Sequence, residues 1–411
     1  MKHTGLTILI MIFLALLTAT NVTIKRDRTY LREGAGSYHK VITQIPVNSK
    51  AKLIQEGDPW LLVEYLQQKG YISNTSLQEK ALRNDAFASI QSSTASGKVS
   101  QHSISAGVKG FAEKFNSQFR GELSLLDYIY GYQIDPLRYQ QFVEETYARH
   151  KQFAFRTLFQ IPPKSTPDYF MEAHEGFGLA VALVIASLGL YEDPQLQEYV
   201  NFVGQNLVSA SDGTDIHFRF FLLDLTEPNA YACPGGYIFI TKGMIQLIED
   251  EAELAIVLAH EIAHVTRFHG MIEAKAREHH IGSYDVFKEL DEDLPDAFSE
   301  KAQEIEAELE DDIFDMYETL VQGRLDAYEQ EADAIGLVYS ARTGYSPLAS
   351  QVLLNRLINT RYESNNQHYR RESVKQRQAW LDQELEAYRR MNVDYLDQVS
   401  RWKRMKKLLD H

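Results

Sequence analysis

Two histidines spaced four residues apart are the side chains in this sequence best suited to metal chemistry. They occur as His260-Glu261-x-x-His264, inside a stretch from 248 to 268 whose apolar residues recur at helical spacing. Residues i and i+4 lie on one face of a helix, so both imidazoles can reach one Zn²⁺ at ~2.0–2.1 Å. Glu261 then lies beside the open coordination position, where a general base is needed. The motif predicts a hydrolytic zinc site; two buried core histidines are the alternative that it leaves open.

A zinc site of this kind needs a third protein ligand, and an acidic helical stretch from 328 to 336 supplies candidates. Glu329 and Asp333 are four residues apart and share one helix face. One carboxylate could bind the metal while the other accepts a hydrogen bond from a ligating imidazole. Spacing does not distinguish Glu329 from Glu331 as the ligand. Without the histidine motif, a solvated acidic helix face would be the simpler interpretation.

A predicted strand precedes the histidine helix. Residues 237–241 alternate aromatic and β-branched side chains and follow the tight turn at Gly235 and Gly236. Cys233, just before this turn, is the only cysteine of the chain, which excludes an intramolecular disulfide and a cysteine-based metal cluster. Any metal therefore rests on histidine and carboxylate. Cys233 itself has two interpretations, a thiolate that plugs the zinc site and a small buried hydrophobic residue.

Length and charge narrow the classes of function. The chain has 411 residues, of which 44% are hydrophobic and 24% charged, enough for two or three domains with sizeable cores. Its formal net charge is −15. An acidic chain repels phosphates, so no nucleic-acid partner is expected.

The first twenty residues predict export. Lys2 precedes an uncharged run whose apolar centre, residues 6–17, is followed by small and polar residues. This is the layout of a secretory signal peptide, and the apolar centre is shorter than the ~20 residues that span a bilayer. We therefore expect an exported, periplasmic protein. If the segment stays uncleaved, it would associate the protein with the membrane.

Short β-rich runs separated by turns fill residues 21–78 and predict a small all-β barrel. A turn at Arg32-Glu33-Gly34, a tryptophan at Trp60 and the run Gly70-Tyr71-Ile72 follow the order of a bacterial SH3-like (SH3b) domain, which this region resembles. The resemblance implies a ligand from the cell wall or a protein ligand. A packing module without its own ligand is the alternative.

Four motifs between residues 168 and 350 together resemble the HtpX/BepA-type zinc metallopeptidases, relatives of the CAAX prenyl protease and of the mitochondrial protease Oma. The motifs, in chain order, are Asp193-Pro194-x-Leu196-x-x-Tyr199-Val200, Asn229-Ala230-Tyr231-Ala232-x-Pro234-Gly235-Gly236, Glu253-Leu254-Ala255 leading into His260-Glu261-x-x-His264, and Glu329-x-x-Ala332-Asp333.

The resemblance implies a gluzincin: a mainly helical α+β domain with a small sheet and one Zn²⁺ per chain. It makes Glu329 the third ligand beside His260 and His264, and Asp333 the partner that orients a ligand. It also assigns Asn229, Tyr231, Gly235 and Gly236 to the strand that faces the substrate. We expect the strand at 237–241 to pair with an extended substrate through its main chain.

The expected domain order is a signal peptide (1–20), the SH3b-like barrel (21–78), a Ser/Gly-rich linker with helices (79–165), the metalloprotease domain (166–360) and a helical tail (361–411).

An insertion at 271–325 has a net charge of −12 and predicts an amphipathic helix that acts as a lid, an exosite or a solvated extension. Its apolar face consists of Ile305, Leu309, Ile313, Met316 and Leu320. The resemblance also leads us to expect a His-Pro followed by an arginine, yet residues 368–377 run from His368 to Arg377 without a proline.

These features predict an exported zinc endopeptidase in which Glu261 takes a proton from a zinc-activated water that attacks a peptide carbonyl. Its expected substrates are unfolded or misfolded envelope proteins, because only a segment that can leave its own fold pairs with an edge strand. Two other classes remain open: a chaperone-like or latent homologue that binds unfolded segments, and a cell-wall-targeted binding protein acting through the SH3b domain.

Overall fold

The computed structural model consists of two compact units, one of residues 1–35 and 39–80 and the other of residues 36–38 and 81–411. The structure describes residues 21–26, 29–77, 128, 131–148, 155, 158–162, 171–276, 313, 315–321, 323–359, 371–391 and 393–407. The predicted signal peptide, most of the predicted linker and residues 277–312 of the acidic insertion lie outside the described residues.

The first unit is an antiparallel sheet of six strands in the order β1-β4-β5-β6-β2-β3. Period-two patterning builds it: along β5, Leu61 and Val63 are buried while their neighbours are partly exposed. The SH3-like, all-β prediction is confirmed. The strands are β1 (Asn21–Thr23), β2 (Thr29–Arg32), β3 (Val41–Ile45), β4 (Lys50–Gln55), β5 (Trp60–Tyr65) and β6 (Gln68–Ser73).

The second unit is mainly helical and carries a three-stranded sheet, as the predicted fold class requires. Its helices are α1 (Pro136–Thr146), α2 (Met171–Ala186), α3 (Pro194–Ala210), α4 (Lys242–Leu247), α5 (Glu251–Thr266), α6 (His269–Ala276), α7 (Asp326–Arg342), α8 (Ala349–Asn359), α9 (Arg371–Arg389) and α10 (Val399–Lys406). Its strands are β7 (Arg219–Leu223), β8 (Ala230–Cys233) and β9 (Tyr237–Thr241).

The small sheet has the order β7-β9-β8, with β9 parallel to β7 and antiparallel to β8. The expectation that β9 pairs with a substrate is therefore wrong, because both of its edges are already hydrogen-bonded. The sequence did not identify β7, whose run Arg-Phe-Phe-Leu-Leu has no alternation to separate a strand from a buried helix. Within the described sheet the outer strands are β7 and β8, and β8 contains Tyr231.

Helix α5 runs through the core of the second unit, and all of its residues except Ile256 are buried. Asp250 caps its start by accepting a hydrogen bond from the Glu253 N–H at 2.8 Å. Glu251, fully buried, accepts hydrogen bonds from the Tyr345 hydroxyl at 2.5 Å and from Arg401 Nε at 2.6 Å. These contacts fix the helix that carries His260-Glu261-x-x-His264.

Helix α7 lies directly against α5, and a glycine allows the close approach. A Cβ on Gly336 would lie 3.0 Å from the backbone N and 3.2 Å from the Cα of His260. The carboxylates of α7 are therefore held against the histidines of α5.

The described end of the acidic insertion is helical at 315–321. Ile313, Met316 and Leu320 are buried in one apolar cluster together with Met271 of α6, as the amphipathic pattern predicts. Ile305 and Leu309 lie outside the described residues.

Candidate active site

Three ligand-type atoms meet where α5 faces α7. His260 Nε2 lies 3.0 Å from His264 Nε2 and 3.3 Å from Glu329 Oε2, and His264 Nε2 lies 3.4 Å from Glu329 Oε1. Ligands at ~2.0–2.1 Å from a tetrahedral zinc are separated from one another by about 3.3 Å. Among the described residues this is the group of histidine and carboxylate side chains able to hold a metal ion. The donor set and its spacing fit zinc.

The electrostatics of the group favour a cation. All three side chains are buried. Burial alone would raise the pKa of Glu329, but the facing imidazoles of His264 and His260 hold it well below its usual range. Burial would lower the pKa of His260, yet contacts with Asp333 and Glu329 raise it to about 10. Burial lowers the pKa of His264. The His260 imidazole therefore contacts two buried carboxylates, Glu329 and Asp333, and this environment favours binding of either a proton or a metal ion.

Asp333 lies one helical turn after Glu329 and contacts the other nitrogen of the His260 ring, with His260 Nδ1 2.9 Å from Asp333 Oδ1. Arg377 of α9 reaches the same carboxylate, with Nε donating to Oδ2 at 3.0 Å and Nη2 to Oδ1 at 2.5 Å. Burial would raise the pKa of Asp333, but Arg377 and His260 lower it. The carboxylate is thus ionised and able to orient the His260 ring.

Glu331 points away from the group around Glu329. Two residues along a helix are separated by about 200° around its axis, so Glu329 and Glu331 face nearly opposite sides. Glu331 Oε2 instead lies 3.3 Å from His269 Nε2. Of the two carboxylates that spacing left open, Glu329 is the one that contacts both histidines.

Glu261 lines a cleft together with His260, His264, Glu329 and Tyr231. Burial is the main reason that the pKa of Glu261 rises to about 7; the nearby carboxylate of Glu329 adds to the increase. A carboxyl group with a pKa near neutrality suits general acid–base chemistry, because it both accepts and releases protons at pH 7. The cleft therefore brings together a metal-type donor group and a carboxyl group suited to proton transfer.

Of the four residues assigned to the substrate strand, Asn229 directly precedes β8, Tyr231 lies on it, and Gly235 and Gly236 lie in the turn that follows it. Tyr231 lines the cleft. Asn229 is buried, and its side-chain oxygen accepts a hydrogen bond from the Ala230 N–H at 2.8 Å. Gly235 and Gly236 have φ values of 76° and 93°, which only glycine adopts readily. A Cβ on Gly236 would also lie 2.9 Å from the carbonyl oxygen of His217. The glycines form the reversal between β8 and β9.

Cys233, the last residue of β8, is fully buried in an apolar cluster, and burial raises the pKa of its thiol. It is absent from the metal-type group of the described residues. The interpretation as a small hydrophobic side chain describes its surroundings; the plug interpretation does not.

Three residues at the site were not recognised from the sequence as part of it: His269, Arg324 and Arg377. His269 follows His264 by five residues, which is not a same-face helical spacing, and Arg324 lies in the segment between two helices. Arg377 lies in the stretch where the resemblance leads us to expect an arginine, and that was the available signal. Arg324 is buried, lines the cleft and donates from Nη2 to the carbonyl of Ala232 at 2.8 Å.

Comparison with protein families finds two matches. Residues 194–384 match peptidase family M48, and residues 27–78 match the bacterial SH3 domain. The match to peptidase family M48 contains the three side chains able to hold a metal ion. It also contains Glu261, Asp333 and Arg377.

Comparison with curated proteins finds proteases. The beta-barrel assembly-enhancing protease of Escherichia coli (strain K12) is 31% identical over 179 residues, which are 43% of this chain and 36% of that protein. The protein of the same name from Yersinia pestis is 32% identical over 183 residues, 44% of this chain and 36% of the relative. The mitochondrial metalloendopeptidase OMA1 of Schizosaccharomyces pombe is 34% identical over 71 residues, 17% of this chain and 21% of the relative. The matched part is thus about a third of the length of the first two relatives.

Proposed function

Because the chain carries a peptidase family M48 domain behind a bacterial SH3 domain, we propose that it is a zinc-dependent endopeptidase. One observation carries the proposal. The side chains of His260, His264 and Glu329 are buried with their ligand atoms close enough to hold one metal ion, and Glu261 lines the same cleft. His260, His264 and Glu329 are the residues that would hold one Zn²⁺. Zinc in this position supplies Lewis-acid polarisation and activation of water near neutral pH.

Glu261 is the proposed general base. It takes the proton of the attacking water and later delivers it to the leaving amine of the cleaved peptide. Its burial in the cleft supports this role, because burial raises its pKa to about 7. Asp333, held by Arg377, orients the His260 ring through Nδ1.

We infer that the substrates are extended, unfolded polypeptide segments. Strand β8 borders the cleft through Ala230, Tyr231 and Ala232, and its outer edge carries no strand in the described sheet. A substrate added to this edge would be held mainly by its backbone, so selection depends on local unfolding more than on sequence.

We further propose that the protein works on envelope proteins after export, with the SH3 domain binding cell-wall material or a protein and thereby placing the peptidase near its substrates. The apolar run at the start of the sequence supports export, either as a cleaved signal peptide or as an uncleaved membrane attachment. Within the described part of the chain, no helix combines the length and the apolar character needed to span a bilayer.

One contact supports a second candidate function, a latent or chaperone-like form that binds unfolded segments without cutting them. The Ala232 carbonyl on the open edge of β8 accepts a hydrogen bond from Arg324. Arg324 thereby occupies a carbonyl with which a substrate strand would pair at this position.

The proposal is tested by incubating the purified chain and its Glu261→Gln variant with casein, an unfolded test protein, and measuring the zinc content of both. We expect the wild type to cut casein and the variant to keep its zinc while losing cleavage. A zinc-loaded wild type that binds casein without cutting it would favour the second candidate. A wild type without zinc would contradict the endopeptidase proposal itself.

A further inference from the structure

A third histidine, His269, contacts His264 on the side of its ring away from His260 and Glu329. His264 Nδ1 lies 2.9 Å from His269 Nδ1, and His269 Nε2 lies 3.3 Å from Glu331 Oε2. The three side chains form one line from His264 to the half-exposed carboxylate of Glu331.

The proton positions along this line follow from the atoms that meet. His264 directs Nε2 toward His260 and Glu329, so metal binding through Nε2 leaves the proton of a neutral ring on Nδ1. His269 Nδ1 must then accept, because two N–H groups cannot share a 2.9 Å contact. The proton of His269 is consequently on Nε2. This nitrogen faces the carboxylate of Glu331, which can only accept a hydrogen bond.

We propose that His269 and Glu331 are positioning residues that fix the ring orientation and the metal-binding tautomer of His264. The inference rests on the proposed function, since it requires zinc at His260, His264 and Glu329. The two ligand histidines would then be oriented differently: His260 directly by Asp333, and His264 through His269 by Glu331.

The backbone holds His269 in place at some cost. Phe268, between α5 and α6, has a φ of 59°, a conformation that bulky side chains seldom adopt and that the surrounding structure must maintain. This left-handed residue ends the path of α5 and lets His269 contact His264 across a spacing of five. His269 is buried and its ring stacks on Tyr328, with 5.0 Å between ring centroids and 29° between ring planes.

A role of the His269 ring in packing alone is the competing explanation. Two substitutions distinguish it from the proposed chain of hydrogen bonds from Glu331 through His269 to His264, called the relay below. His269→Phe keeps an aromatic ring against Tyr328 but removes the acceptor. His269→Asn removes the ring but keeps an oxygen at the δ position, where it can accept the His264 Nδ1 proton. The readout is the rate at which zinc leaves each purified protein in excess chromogenic chelator, with circular dichroism as the check on folding.

We expect zinc to leave His269→Phe about 10–100-fold faster than the wild type, the range found when a partner of a metal ligand is removed. His269→Asn should remain close to the wild type. Rates in the opposite order would overturn the relay and support packing. Equal rates in all three proteins would also overturn it.

Glu331→Gln provides a second test if His269→Phe fails to fold. An amide can donate as well as accept, so it no longer enforces the His269 tautomer, and zinc should leave faster than from Glu384→Gln, a matched change at an exposed position of α9. Equal release from these two variants would contradict the role of Glu331.

The failure of this inference can be distinguished from the failure of the proposed function. A wild type that holds no zinc would contradict both the proposed function and the relay. A zinc-loaded wild type with unaffected variants would contradict the relay alone.

Discussion

Arg377 shows how single residues balance charge at this site. Its guanidinium contacts Asp333 with two nitrogens, and its Nη1 lies 3.8 Å from Glu329 Oε2. Both carboxylates are buried. An unpaired buried charge is costly, so Arg377 compensates the carboxylates whether or not a metal is bound.

We predict that Arg377→Leu destabilises the zinc-free protein by about 3–5 kcal/mol, the usual cost of removing one partner from a buried ion pair. The loss should be smaller with zinc bound, because the metal then compensates part of the negative charge. Urea unfolding with and without zinc measures both values. Arg390→Leu is the control, because Arg390 is exposed and its pair with Glu386 is a surface pair worth about 0–1 kcal/mol. An equal loss for Arg377→Leu in both metal states would contradict this account of the charge balance.

At the scale of the residue, the sequence was most informative where spacing alone decides geometry. The i, i+4 pairs His260 and His264, and Glu329 and Asp333, could be assigned to common helix faces because their spacing matches one helical turn. His269 could not, because its contact with His264 depends on the left-handed backbone at Phe268. Spacing could not place Arg377 either, because α9 lies far along the chain from α5 and α7; the available signal was the resemblance, which leads us to expect an arginine in this stretch.

At the scale of the element, the site depends on how closely α5 and α7 approach. The histidines lie on one helix and the carboxylates on the other, so the distance between the helices sets the distances between ligand atoms. Gly336 lies where the backbones meet.

We predict that Gly336→Ala destabilises the protein by about 1–3 kcal/mol, the usual cost of overpacking a core. The added methyl would lie 3.0 Å from His260 N, so α7 must move away and Glu329 moves with it. Zinc affinity should therefore fall together with stability. Gly131→Ala is the control, since a Cβ there meets no atom within 4 Å. Chemical denaturation and a zinc titration measure the two effects, and unchanged zinc affinity in Gly336→Ala would contradict the proposed coupling.

The cap of α5 predicts a pH dependence of stability. Burial is the main reason that the pKa of Asp250 rises to about 6; the nearby carboxylate of Glu253 adds to the increase. Because the pKa is higher in the folded state than in the unfolded state, the folded state binds more protons between about pH 4 and pH 6. The contribution of Asp250 to stability is therefore present at low pH and is lost as the pH rises through about 6.

Asp250→Asn keeps a side-chain oxygen for the cap but removes this titration. We expect the free energy of unfolding of the variant, relative to the wild type, to increase as the pH rises from 4 to 7. Urea denaturation across this range measures the difference. A difference that is independent of pH, or that decreases with pH, would contradict the raised pKa of Asp250.

The elements themselves were predictable to different degrees. The period of 3.6 residues located α5 and α7, and alternation after a glycine turn located β9. Strand β7 was missed because a fully buried strand reads as a plain apolar run. The expectation that the strand at 237–241 pairs with a substrate came from the family resemblance, and the position of β9 between β7 and β8 contradicts it. Which strand is open depends on pairing between distant parts of the chain, which a single sequence does not record.

At the scale of the whole molecule, the first unit has its own core. Among the described residues of this unit, seven apolar side chains form one buried cluster, which includes Leu31, Val63 and Ile72. Domains of about 60 residues bury only about 60% of their unfolded surface, so such a unit is marginally stable but able to fold alone.

We predict that a fragment of residues 21–78 folds in isolation and unfolds cooperatively on heating, as circular dichroism would record. Val63→Asp should abolish the transition, because it introduces a charge at a fully buried position. A fragment without a cooperative transition would show that the sheet depends on the rest of the chain.

The measurement that tests the account most directly is the zinc content, by atomic emission, of the wild type and of Glu329→Gln. Glu329 contacts both His260 and His264, and an uncharged amide is a much poorer zinc ligand than a carboxylate. We predict about one zinc per wild-type chain, as expected for a single site of this kind. Glu329→Gln should lose most of it, while Glu384→Gln, a control at an exposed position, should keep it. Undiminished zinc in Glu329→Gln would contradict the assignment of the site.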